Sequence, residues 1–291
     1  MRTNRQFLPI VSVLGEVAPP RMRTPYRVGF DGVPRVVAST GGITYNARVG
    51  DPALGWVGDH VEPGVSTKAA DEGANLAYNV FSCVGNRAVV VSGEAKGARG
   101  VVTGTHGGIE HVLIDFPPEV LENLAIGDKV QVRACGQGLA MEEFSGVQVM
   151  NCDPDLLEKW GITVSAGRLQ VPVVAAVPAE LMGSGIGSVA AHSGDYDITT
   201  QDRALLREHG LQGLRFGDIV AVRDRASFFG RHYSRGAIEI GVVVHSDSMI
   251  SGHGPGVTTL LTAKGGEIEP RLDPGANIAN YLGIRKIQGG S

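Results

Sequence analysis

Cysteine is scarce: Cys83, Cys135 and Cys152 are an odd number, far apart and in no CxxC pair, which excludes a disulfide framework and a paired zinc–thiolate motif. That usage fits a reducing cytoplasm, with each thiol expected as core filler. Charge of one sign is lacking as well. The net charge is −4 with acids and bases interspersed, so no footprint for nucleic acid or an anionic membrane is visible. No stretch approaches the roughly 18 consecutive apolar residues of a membrane-spanning helix. Residues 7–14, after Arg2 and Arg5, faintly imitate a secretory signal, but Pro9 interrupts them and Glu16 follows, so an edge strand is expected. HExxH, GxSxG and the Walker A pattern are absent, and "GSGIGS" at 183–188 lacks the complete dinucleotide fingerprint and its following helix.

Glycine is abundant instead, with 42 residues against a usual share of about 7%. The glycines punctuate short runs rich in Val and Ile, among them 88–92, 100–103, 111–116, 129–134, 169–177, 218–223, 237–245 and 258–262. Runs of that length between turn residues predict strands. Helical spacing predicts a helix over 66–83 with Ser66 or Thr67 as N-cap, and shorter ones near 154–160, 200–209 and 274–282. The fold class is therefore mainly β (β-rich α+β), with short antiparallel strands in two barrel-like modules and a few short helices. The expected division is 1–152, including an SH3-like barrel segment at about 86–150, and 153–291, the two packed as one unit. An internal echo supports two modules: residues 124–133 and 214–223 share L-x-x-G-D-x-V-x-V-R. Glycine there supplies a positive φ and aspartate bonds the turning backbone before a strand.

Chemistry-bearing residues gather in four stretches. "HSDSMISGHGPG" at 245–256 leaves an apolar run and presents His245 and His253 among glycines, where a histidine can ligate a metal or move a proton. "GDHVEPG" at 58–64 crowds His60 and Glu62 as proton carriers or ligands, with Asp59 read as a cap or solvated. "GDYDITT" at 194–200 sets Asp195 and Asp197 two apart, on one face if extended. "STGGITYN" at 39–46 offers the amides of Gly41 and Gly42 with Thr40, Tyr45 and Asn46 to an anionic group. The expected assignment is His60, Glu62 and Asp197 as catalytic residues and His245, His253 and Asp195 as metal ligands. Thr40, Gly41, Gly42, Tyr45, Asn46 and Gly254 are expected at the substrate. His106 and His111 are expected in structural hydrogen bonds, and His192 stays unassigned.

Taken together, "GDHVEPGVS", "GSGIG", "GDYDI", "GDIVAVRD" and "GVVVHSDS…GHGPGVT" resemble, over most of the chain, an uncharacterised bacterial and archaeal family, a domain of unknown function known chiefly from thermophile structural genomics. That resemblance implies a mainly β architecture with barrel-like subdomains and supplies no catalytic residues. A shorter likeness, in residues 194–198, 214–224 and 236–239, is to the acetamidase and formamidase family, although Arg225-Ala-Ser stands where that family carries a loop histidine. It implies metal-assisted hydrolysis of a small amide. The expected function is a metal-dependent hydrolase of a small amide or cyclic amide, with a divalent metal such as zinc. The alternatives are a metal-free lyase or isomerase and a non-catalytic small-anion binder. A cytoplasmic homo-oligomer acting on a small molecule, without nucleic-acid or membrane partners, completes the expectation.

Overall fold

The computed structural model describes residues 1–22 and 24–287. Strands dominate it, and the first large unit is a closed barrel of six antiparallel strands. Their order around the barrel is Val11–Val17, Lys129–Ala134, Arg87–Val90, Arg99–His106, His111–Asp115 and Gly64–Lys68, which pairs back to the first. Closure leaves no open edge. Lys129–Ala134 alternates exposed and buried residues along its length, so Val130, Val132 and Ala134 point into the barrel with Val65, Val102, Val112, Ile114 and Phe116.

Two expectations need correction at this barrel. The N-terminal strand is Val11–Val17, flanked by two neighbours rather than placed at an edge. The predicted helix over 66–83 is a strand, Gly64–Lys68, followed by a shorter helix, Glu72–Phe81, capped by Asp71, whose Oδ1 accepts the Ala74 N–H at 2.8 Å. Val65-Ser66-Thr67 is extended because β-branched residues pack well on a pleated surface, and pairing with Val17 closes the barrel. Residues 86–150 thus supply four of the six barrel strands.

The second unit is a sheet in the order Val147–Val149, Gly256–Ala263, His232–Val243, Ile219–Ala226 and Ala175–Val177, with Tyr196–Asp197 pairing one end of Gly256–Ala263. Gly256–Ala263 is buried along its whole length, with apolar clusters around Trp160 and Leu260 on one side and Phe216 and Val257 on the other. A three-stranded sheet of Thr163–Ser165, Arg168–Val173 and Ile268–Leu272 stands beside it. The sequence echo builds one turn twice. Gly127 and Gly217 have φ of 90° and 84°, and the Asp128 and Asp218 carboxylates accept the N–H of Ala125 at 2.9 Å and of Arg215 at 2.8 Å.

All three thiols are free; Cys83 and Cys152 are buried as expected of filler, whereas Cys135 is only half-buried. No helix among the described residues is long and apolar enough to cross a membrane.

Candidate metal centre

Two loops that look independent in sequence are laced together. Residues 245–248 clamp residues 59–61: the Val61 N–H donates to Ser246 Oγ at 2.8 Å, the His60 N–H to the Asp247 carbonyl at 3.2 Å, and Ser248 Oγ to Asp59 Oδ1 at 2.6 Å. His60 is held with φ of 54°, a left-handed conformation that is costly for a residue with a Cβ. The serines between the histidines therefore have a job: they fix the backbone that aims His60.

The barrel contributes the next group. His106 and His111 face each other across the hairpin of Arg99–His106 and His111–Asp115, and both direct Nδ1 at Glu62. His106 Nδ1 lies 2.6 Å from Glu62 Oε1, and His111 Nδ1 lies 3.0 Å from Oε2. Ser66 Oγ and the Gly41 N–H also donate to Oε2, at 2.5 and 2.7 Å. From the second sheet come Asp195 and Asp197, His245 at the end of the run 237–245, and His253.

Tautomers follow from the acceptors. A carboxylate or carbonyl only accepts, so Nδ1 carries the proton in His106 facing Glu62, in His60 facing Asp59 Oδ1 at 3.2 Å, and in His245 facing the Ser246 carbonyl at 2.9 Å. Their remaining ring nitrogen is Nε2. His245 Nε2 lies 2.7 Å from Asp195 Oδ2, and His60 Nε2 lies 3.0 Å from His253 Nδ1 and 3.6 Å from Asp197 Oδ2. His253 Nδ1 lies 2.9 Å from that same Asp197 oxygen. The rings crowd, with centroids 4.1 Å apart for His106 and His245 and 5.1 Å for His60 and His245.

Electrostatics divides the histidines. Burial alone would push the His60 pKa down, yet Asp197 and Asp59 hold it up at about 9. His106 is lowered, by burial and by the neighbouring His245. Despite burial, Asp195 raises His245, and that histidine in turn helps hold Asp195 below its ordinary value. Glu62 is held well below the carboxylate range, its complete burial outweighed by His106 and His111. Asp59 is kept down to about 2 against burial by His60, with Ser248 and Arg27 assisting.

A cavity of about 270 Å³ opens onto the cluster, lined by His60, His106, Asp195, Asp197, His253 and the buried Arg231. A second opening of about 500 Å³ reaches His60, His106 and His253 from the side of Tyr26, Arg27 and Thr40.

The sequence-predicted residues fall into three groups. His60, Asp195, Asp197, His245 and His253 converge. Glu62 also converges, but as a support that is 1% exposed and occupied by its own donors, not as a group facing the cavity. The 39–46 loop does not offer its glycine amides to a ligand: Gly41 donates to Glu62 and Gly42 to the Ala18 carbonyl at 2.8 Å. Thr40 lines the second opening, whereas Tyr45 and Asn46 are exposed. Gly254 lies at the site through its N–H, 3.4 Å from Asp197 Oδ2.

Sequence reasoning missed His106 and Asp59. His106 ends a strand before Gly107-Gly108, the same setting that singled out His245, and that signal was available. Asp59, expected as a cap or solvated, is fully buried and ion-paired to Arg27 at 2.9 Å. Its acidic, loop-bound position carries no mark of this in one sequence.

Profiles described as "Domain of unknown function (DUF4438)" match the chain in two parts, the N-terminal one over residues 26–158 and the C-terminal one over residues 159–282. A solved structure described as the crystal structure of TM1086 is 49% identical, covering 97% of this chain and 99% of that one, with a TM-score of 0.94. No curated protein matches, and the likeness to acetamidases gains no support.

Proposed function

This chain belongs to the DUF4438 family, a description that assigns no activity; its N-terminal and C-terminal parts meet at the histidine cluster, and on the geometry of that cluster we propose a divalent-metal-dependent hydrolase of a small amide or cyclic amide. One observation carries the reading. Three imidazoles, His60, His106 and His245, have Nδ1 bonded to a carboxylate or carbonyl, so Nε2 is the atom each would offer to an ion among Asp195, Asp197 and His253, with His245 first giving up the proton that joins its Nε2 to Asp195 Oδ2. Nitrogen donors oriented by outer hydrogen bonds, beside carboxylates, are the arrangement that holds zinc and similar ions.

Such an ion, when bound, polarises a carbonyl and makes water nucleophilic near neutral pH. The chain's own residues supply the rest. Glu62 and Asp59 orient the ligating rings. Arg231, 3% exposed on the wall of the cavity of about 270 Å³, orients a small polar substrate there, with the second opening of about 500 Å³ reaching the same histidines from the other side. The 39–46 loop, with its glycine amides already bonded, gives a pure anion-binding role little footing.

The metal-free lyase or isomerase reading keeps one specific support: His60 is held up at about 9 while His106 is lowered, and a pair pushed apart in this way is what acid–base catalysis uses. The test separates the two. Protein stripped with a chelator and reloaded with zinc, cobalt or manganese is assayed on small linear and cyclic amides. Hydrolysis that returns only with metal supports the hydrolase. Turnover unaffected by chelation, or no metal bound, overturns it.

A further inference from the structure

The cluster contains more donors than one ion uses, and they fall into two sets. His60, Asp197 and His253 form one, and His106, Asp195 and His245 the other; within each, the ligand atoms lie within 4.8 Å of one another. Each set combines one histidine from the part of the chain matched by the N-terminal profile with one aspartate and one histidine from the other part. We propose that the site holds two divalent cations, one per set, with the Asp197 carboxylate bridging them. This rests on the metal reading above and deepens it.

Asp197 is the residue that touches both sets. Its Oδ2 lies 2.9 Å from His253 Nδ1 and 3.6 Å from His60 Nε2, while its Oδ1 lies 3.7 Å from His245 Nε2. A carboxylate with its two oxygens directed at different nitrogen sets is the geometry of a bridging ligand, which in two-metal hydrolytic sites spans ions about 3.5–4 Å apart. The donor count agrees. With Asp197 shared, one ion would have three protein donors and the other four, which leaves positions for water and substrate on ions that take five or six ligands, whereas six protein donors on one ion would leave none.

The second set also has room made for it. A Cβ on Gly256 would stand 1.7 Å from Asp195 Oδ2 and 2.3 Å from His245 Nε2, so only glycine lets that carboxylate and imidazole meet. Gly107, whose N–H donates to Asp195 Oδ1 at 2.7 Å, fixes the same carboxylate from the barrel side. Each set is therefore built with its own supports: Asp59 behind His60, and Glu62 and Gly107 behind His106 and Asp195. Two ions held by His60, His106, His245, His253, Asp195 and Asp197 would stabilise both the attacking and the leaving atom of a displacement at a small polar substrate.

The test is metal stoichiometry on the full chain, chelated, then titrated with Zn²⁺ and in parallel with Mn²⁺, read by elemental analysis after removal of free ion and by electron paramagnetic resonance. Two ions per chain with spin-coupled manganese are expected. His60→Gln and His106→Gln are each expected to fall to about one ion, with uncoupled manganese. One ion per wild-type chain at saturating metal would overturn the two-ion proposal and leave the hydrolase reading standing. No bound ion would overturn both. Two ions in wild type and still two in both variants would place the second ion elsewhere and likewise overturn the proposal. The wild-type result does not depend on the variants folding.

Discussion

Two buried carboxylate clusters in this protein solve the same problem differently. Glu239, in the strand His232–Val243, is fully buried, and its oxygens accept hydroxyl donors, Ser227 Oγ on one and Thr259 Oγ1 at 2.7 Å on the other. Burial raises its pKa, and the hydroxyls of Ser227, Thr259 and Tyr196 pull against that rise. Donor meets acceptor, and no ligand is needed. Around Asp195 and Asp197 the neighbours are imidazole nitrogens, and each of His60, His106 and His245 has already committed Nδ1 elsewhere. There, ring nitrogens and carboxylate oxygens face one another as acceptors. Protons or cations must stand between them. A closed polar core and the proposed metal site thus differ in what the carboxylates face, not in how deeply they are buried.

The largest effect on this contrast comes from removing a ligand. His106→Ala and Asp197→Asn should each lower metal-dependent turnover by at least 100-fold, measured as kcat/KM on whichever amide is hydrolysed, with circular dichroism unchanged. Glu239→Gln should leave metal content at the wild-type value.

Next comes the outer shell. Glu62→Gln keeps the shape but weakens the acceptor for His106 and His111, and should reduce metal affinity by about 10- to 100-fold, read by competition with a chelating dye. Loss of affinity without loss of fold separates orientation from packing.

Stability follows. The candidate ligands come from both profile-matched parts of the chain, so a metal bound as proposed would clamp them together. Adding metal to 100 times its Kd should stabilise the protein by about 2.7 kcal/mol, seen as a rise in Tm that a chelator reverses. An unchanged Tm would mean that the two halves are held by packing alone.

The smallest effect tests the closed cluster. Glu239→Gln should cost about 1–3 kcal/mol by disturbing a satisfied buried network. It should also change the pH dependence. Since Glu239 has a higher pKa folded than unfolded, the folded state keeps a proton that the unfolded chain has released, so stability falls as pH rises from the ordinary carboxyl value upward. The glutamine variant, with no proton to lose, should flatten that slope in urea titrations at a series of pH values.

The β-rich architecture and most strands were readable because Val- and Ile-rich runs are bounded by glycine turns, and Lys129–Ala134 was readable to the residue. The strand Gly64–Lys68 was not, since Ser66, Ala69 and Ala70 continue a helical spacing and only its pairing with His111–Asp115 and Val11–Val17 decides against it. Of the site, the loops at 58–64, 194–200 and 245–256 carried visible clusters of ligating side chains between glycines. Their convergence is a tertiary fact. So is the second role of Glu62, since a carboxylate at the cavity and one behind two histidines read alike in sequence. His106 carried the same strand-end signal as His245, but its role in the cluster is seen only with Glu62 behind its Nδ1.

The most direct measurement is anomalous diffraction from crystals grown with zinc, with data collected above and below the zinc edge. Anomalous density is expected among His60, His106, His245, Asp195 and Asp197, within bonding distance of the Nε2 atoms. Zinc bound only elsewhere, or no anomalous density at the cluster under saturating metal, would contradict it.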